Sequence, residues 1–224
     1  MLKPKRKIAR KEIGRDPFLE TVDKLEANIS KNRKLYINIA AGFVIALIAF
    51  NLITNKRSER LITGNAAVGR ALVAIERGDV ENARFQLETI IADYDGKTIA
   101  EVAGYHLGKI KFDEGDFIDA EKYLLQYMEE HPVDIFIPGA SKMLAAIAVI
   151  NGDRNTAEKY LNEGIDLVSR ESDKLVLKLE KAQLILSGSR GPEAKLLIDH
   201  VLNAENIPPR IKQKAEEMLG MIPS

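Results

Sequence analysis

Gly78-Asp79, Gly115-Asp116 and Gly152-Asp153 recur every 37 residues, and each pair is followed at a fixed offset by an alanine: Ala83, Ala120 and Ala157, with Ala194 another 37 on. Four residues after each alanine stands an apolar side chain (Leu87, Leu124, Leu161, Ile198), and twelve residues before it a small one (Ala71, Gly108, Ala145, Ala182). Self-similarity at this period means stacked copies of one supersecondary unit, each too small to bury its apolar face alone. The columns also say what the unit is. Glycine suits the left-handed residue that ends one helix, and aspartate caps the next. Small residues at matched positions let two helices of a hairpin approach closely, and the apolar residue one turn on fills the space beside them.

The segments between these turns have helical spacing. Val68, Leu72 and Ile75 form a stripe before the first Gly-Asp, and Ala120, Tyr123, Leu124, Tyr127 and Met128 form one after the second. No segment sustains two-residue alternation, so an all-α chain with almost no strand is expected. The pattern predicts about four helical hairpins, at 60–95, 97–132, 134–170 and 172–204. A last helix over 208–220 would cap the final apolar face. The fourth hairpin is the least regular, with Gly188-Ser189-Arg190-Gly191-Pro192 where Gly-Asp would stand.

The small–alanine columns, with Leu107 and Leu144 preceding them and Pro132 closing the second unit, resemble a tetratricopeptide repeat. The sequence departs from that pattern in three ways: the period is 37 instead of 34, the aromatic of the first helix is missing, and there is no tryptophan. Longer loops between units should follow, most clearly at His131-Pro132-Val133-Asp134. The resemblance implies that the first helix of each unit lines a concave groove. The matching positions are Val68, Leu72 and Ile75, then Tyr105, Lys109 and Phe112, then Lys142 and Val149, then Leu179 and Gln183. Such a groove, apolar with a few polar residues, would take an extended peptide or a partner helix. The alternative is that several of these side chains pack between helices or against the cap.

Ahead of the repeats, Leu35–Thr54 is a run of 20 uncharged residues, eleven of them Leu, Ile, Val or Phe. As a helix it would cover roughly 30 Å, the hydrocarbon thickness of a bilayer. A core helix of this length normally carries charge on a solvent face. A cleaved signal peptide would have a shorter basic region and a small-x-small site. An uncleaved transmembrane helix over 35–54 is therefore expected. Residues 1–34 hold 11 Lys+Arg against 5 Asp+Glu, whereas residues 55–224 hold 22 against 28, so the neutral whole joins a +6 tail to a −6 domain. Positive-inside logic puts the tail in the cytoplasm and residues 55–224 across the membrane, with Lys56, Arg57 and Arg60 outweighed by the larger basic cluster. Gly42 and Ala46 make a small-xxx-small pair that could support helix association, which leaves a homo-oligomer open.

Met1–Lys11 is a basic block suited to anionic headgroups; without interleaved aromatics it offers little to nucleic acid. Asp16-Pro17 starts a helix, expected over 16–30, on which Phe18, Val22, Leu25 and Ile29 form one apolar stripe. That helix either lies on the membrane surface or docks a partner.

The residues of chemistry are scarce. There is no cysteine, hence no disulfide, thiolate nucleophile or thiolate metal site. His106 and His131 fall at opposite ends of the second unit and His200 in the fourth, none with a second ligand at metal spacing. Asp93, Asp95 and Gly96 lack the downstream glutamate of a calcium loop, and Asp113, Glu114 and Asp116 read as turn and cap residues. No phosphate loop or nucleophile elbow is present. Neither enzymatic activity nor a cofactor is expected.

The whole layout, with the tail stretch KRKIARKEIGRDPF, is similar to the YfgM-type ancillary subunits of the bacterial Sec translocon. That resemblance implies a single-pass protein of the bacterial inner membrane, its repeats in the periplasm, binding translocon subunits, periplasmic chaperones or secreted chains. Two other readings stay open. One is a scaffold or regulator of cell-wall or division machinery; the other is a signalling adaptor whose groove occupancy is read by the tail.

Overall fold

The computed structural model describes residues 31–94, 96–129 and 132–222, without the side chains of 52–60. The expected helix over 16–30 and its stripe Phe18, Val22, Leu25 and Ile29 lie outside the described residues. Nine α-helices follow in order among the described residues: α1 (Arg33–Glu76), α2 (Val80–Asp93), α3 (Thr98–Asp113), α4 (Phe117–Glu129), α5 (Ile137–Ile150), α6 (Arg154–Leu167), α7 (Glu171–Ser187), α8 (Gly191–Leu202) and α9 (Pro209–Gly220). A single 3-10 turn, Asp134–Phe136, precedes α5. No strand occurs among the described residues.

The chain divides between Glu59 and Arg60 into two compact units, and α1 contributes to both. In the first unit, Arg33–Asn51 is a 19-residue stretch of mean hydropathy 1.7 with none of it buried. By length and composition it can cross a membrane.

The second unit is a stack of helical hairpins. Within the hairpins the small–alanine columns face the core: Ala71, Ala83, Ala120, Ala157, Ala182 and Ala194 are fully buried. At Gly108 even a methyl would lie 3.0 Å from Leu124 Cγ and 3.2 Å from Tyr123 Cβ, so α3 meets α4 at the limit of backbone approach. Three buried clusters run along the stack. The first joins the end of α1 to α2 and α3, the second spans α3 to α7, and the third gathers α7, α8 and α9. In the last, Ala215 and Met218 of α9 cover Leu175, Leu179 and Ile198, which would otherwise be the open end of the array.

The turns inside the hairpins are near-copies of one another. Gly78, Gly115 and Gly152 have φ of 77°, 80° and 80°. Each donates its N–H to the carbonyl three residues back (Ile75, Phe112, Val149), and the following aspartate donates its N–H five back (Ala74, Lys111, Ala148), at 2.8–3.1 Å. This double closure satisfies carbonyls that a helix end leaves orphaned. The aspartate carboxylate then accepts a free N–H from the first turn of the next helix: Asp79 from Asn82 at 3.4 Å, Asp116 from Asp119 at 3.4 Å, Asp153 from Thr156 at 3.0 Å. That hydrogen bond holds the Asp153 carboxyl below the usual carboxylate range.

The fourth turn keeps the geometry with different residues. Ser189, 37 residues after Gly152, sits at φ 60°, and Arg190 donates its N–H back to the Ile185 carbonyl at 3.3 Å. A side chain in left-handed backbone is strained. Ser189→Gly should therefore stabilise the protein by roughly 0.5 kcal/mol, after allowing for glycine's greater unfolded-state entropy, whereas Gly115→Ala should cost about 1 kcal/mol. Space does not complicate the second case, since nothing lies within 4 Å of a Cβ at Gly115. Urea unfolding of the full chain in detergent, followed by circular dichroism, checks the order; a destabilised Ser189→Gly would contradict it.

Candidate protein-binding groove

The helix α5, IPGASKMLAAIAVI, has Lys142 as its only charge. One face is spent on the core, where Ala140, Leu144, Ile147 and Ala148 are buried. The other face is apolar as well, yet Val149 is 39 % exposed and Ile150 56 %. A helix that is apolar all round is normally enclosed. Here the second face borders an open groove.

That groove has a volume of about 590 Å³. It lies between α5 and α7, neighbouring first helices of their hairpins, with Phe112 at the end of α3 reaching in from the preceding one. Met143, Ala146, Val149 and Ile150 come from α5, Leu184 from α7, and Leu161 of α6 lies at the base. Lys142, Glu180, Gln183 and Ser187 supply its polar lining. The small side chains of Ala145 and Ala146 leave the hollow open, and the volume suits two or three bulky side chains of a ligand.

Charge enters along the edge. The Glu180 carboxylate pairs with Lys142 at 3.4 Å and with Lys214 of α9 at 3.1 Å, tying three helices together. Arg154, at the start of α6, donates to Ser187 Oγ at 2.7 Å and to the Leu184 carbonyl at 3.4 Å. The carboxylates that cluster at the second turn are each occupied elsewhere. Asp113 pairs with Lys109 at 2.5 Å, Glu114 with Arg84, and Asp116 with Lys111 at 3.0 Å. Lys111 in turn holds the Asp116 carboxyl below its ordinary range. Among the described residues no three His, Asp or Glu side chains converge as a metal site would require.

Solved structures place this arrangement. The sequence matches no protein-family model and no curated protein. In fold it is similar to the crystal structure of kinesin light chain nearly identical TPR-like repeats from Podosopora anserina. The TM-score is 0.54 at 16 % identity, over 69 % of this chain and 82 % of that one. A point variant of the same protein gives 0.53 at 17 % identity over the same shares. The fold is a tetratricopeptide-like α-solenoid.

The expected groove positions fall into two groups on this solenoid. Phe112, Lys142, Val149 and Gln183 line the groove. Val68, Tyr105 and Leu179 do not: they are core residues, at most 9 % exposed, one in each buried cluster. Leu72 and Ile75 are half-buried against the first core, and exposed Lys109 is taken by Asp113. The reason is angular. Val68, Tyr105 and Leu179 share one column of the repeat, and the open column stands one residue later, at Met143 and Glu180. One residue turns a helix by about 100°. Lys142 belongs to the buried column and reaches the groove with its long side chain. Ala146 shares a column with Leu72, Lys109 and Gln183, so the repeat register alone could have found it.

Beside Tyr105 that open column is covered by the chain itself. Phe136, from the 3-10 turn, stacks on Tyr105 at 4.7 Å between ring centroids and meets His106 edge-on at 5.2 Å. The Tyr127 hydroxyl donates to the Val133 carbonyl at 2.6 Å, pinning the same loop, and burial pushes its pKa upward. His106 Nε2 is buried with no hydrogen-bond partner among the described residues. Burial, helped by the nearby Lys109 charge, lowers its pKa from 6.5 to about 4. The unfolded chain thus takes up a proton on His106 before the folded one does, and stability falls as pH drops from about 6.5 to about 4. The full shift corresponds to a few kcal/mol at most, on the order of 1.4 per pKa unit. His106→Gln should lose less stability than the parent between pH 7.5 and pH 5 in parallel urea titrations; identical losses would contradict the assignment.

Proposed function

We propose that this protein is a membrane-held scaffold that binds a segment of a protein partner in the groove between α5 and α7. The observation that carries the reading is the apolar second face of α5, exposed at Val149 and Ile150 in a concave cavity of about 590 Å³. Solenoid first helices present such faces to extended or helical segments. Residues 35–54 would be the anchor, residues 1–34 a cytoplasmic tail, and residues 55–224 a periplasmic repeat domain at the bacterial inner membrane. The unburied apolar stretch and the +6/−6 charge split support that layout. The similarity of the layout and tail to the YfgM-type subunits favours a place beside the Sec translocon, where partners would be translocon subunits, periplasmic chaperones or emerging chains.

Two measurements test this. Protease added to spheroplasts should trim the repeat domain and spare the tail; digestion confined to the tail would reverse the orientation. A photo-crosslinking residue placed at Val149 of the full chain in membranes should capture translocon or chaperone components. The same residue at Phe85, 70 % exposed on α2 and away from the groove lining, should not. Capture of cell-wall or division enzymes alone would replace the translocon assignment and keep the scaffold. Equal labelling at both positions would remove the groove from the mechanism.

A further inference from the structure

The charges at the groove differ from those of the domain that carries it. Residues 55–224 are acidic, with 22 Lys+Arg against 28 Asp+Glu. Among the described residues, the charged side chains that line the groove are Lys142 and Glu180, and those that touch its polar lining are Lys214, on Glu180, and Arg154, on Ser187. That is three cations to one anion. Two lysines share the single Glu180 carboxylate, and Arg154 is held by a hydroxyl and a carbonyl, with no ion pair among the described residues. The acidic groups on the adjoining turn do not offset it, because Glu158 and Glu193 both pair with Arg190.

Position adds to sign. Lys142 and Glu180 stand at one end of the apolar floor, Ile150 and Ser187 at the other. Ile150 is eight helical steps beyond Lys142, about 12 Å of rise. An extended chain covers that distance in about four residues. Resting on the groove reading above, we infer that the preferred occupant is an extended segment with bulky apolar residues at alternate positions, which share one face, flanked by acidic residues. The apolar side chains would fill the space over Met143, Ala146 and Val149. One flanking carboxylate would meet Lys142 and Lys214, which have one carboxylate between them, and the other would meet Arg154. A segment with basic flanks would instead place cations against three cations. Because these lysines are roughly half-exposed, the preference should be modest and screened by salt.

Three fluorescein-labelled peptides probe this with the full chain in detergent, by fluorescence anisotropy. Each has a central Leu-Phe-Leu, and the flanks are paired glutamates, paired glutamines or paired lysines. At low salt the glutamate peptide should bind about three- to tenfold more tightly than the glutamine peptide, and the lysine peptide most weakly. The gap should close at high salt, where the Debye length is only about 3 Å at 1 M. In Lys142→Gln with Arg154→Gln the glutamate and glutamine peptides, compared within the same variant, should bind equally, while Val149→Glu should weaken all three. Equal binding of the three peptides, all lost in Val149→Glu, would overturn the charge inference and keep the groove. Absence of binding by any peptide, or binding indifferent to Val149→Glu, would overturn both.

Discussion

The solenoid depends on how closely two helices can meet at the small–alanine pair inside each hairpin. Ala71 and Ala83, Gly108 and Ala120, Ala145 and Ala157, and Ala182 and Ala194 are all buried, and their small size is what lets the backbones come together. Leu87, Leu124, Leu161 and Ile198, one turn further along, fill the wedge beside each pair and are likewise buried. A larger residue at Gly108 would push α4 off α3, since Leu124 already stands at the contact limit. Displacing one helix would also strain the Gly-Asp turn, whose two backbone hydrogen bonds require a fixed exit angle. Turn and pair are thus two expressions of one geometry. That is why they share a period.

This geometry was the legible part of the chain. Each column has a local cause that a residue type can announce: left-handed backbone for glycine, capping for aspartate, close approach for alanine. Even the irregular fourth turn obeys the count, because Ser189 and Arg190 occupy the glycine and aspartate places at 37-residue spacing and adopt their backbone roles. Which face of each first helix stays open was not legible. That depends on how far one hairpin rotates on the next, a quantity set by side chains from three helices together. An error of one residue moved Val68, Tyr105 and Leu179 from the expected groove into the core. The covering of Tyr105 by Phe136 was hidden for a related reason. The loop between α4 and α5 was expected to be long, but nothing in its composition says that it turns inward.

The two faces of α5 show what the rotation leaves behind. In the second hairpin, Phe136 and the aromatic ring of His106 occupy the column that Met143 and Glu180 leave open in the third and fourth. At the third and fourth hairpins the array therefore offers a local hollow of about 590 Å³ that ends against this aromatic cover. A local hollow selects short segments. It would reward a few bulky side chains on one face of a segment and gain little from a longer ligand, whose remaining residues would lie over covered or ion-paired surface.

As the proposed binding site, such a hollow would bind weakly. A shallow apolar floor and half-exposed rim lysines can supply only part of the several kcal/mol that association costs in lost freedom. Weakness suits a tethered binder. Confining both partners near one membrane can raise their effective concentration into the millimolar range, so a modest affinity still gives high occupancy. The same modest affinity allows release on a short timescale, because affinity differences within one interface lie mostly in the off-rate. A tight groove on the same anchor would retain its segment and stop turning over. On the proposed reading, an open face on α5, a single carboxylate shared by two lysines and an apolar helix ahead of the repeats would together serve brief, repeated capture at a surface.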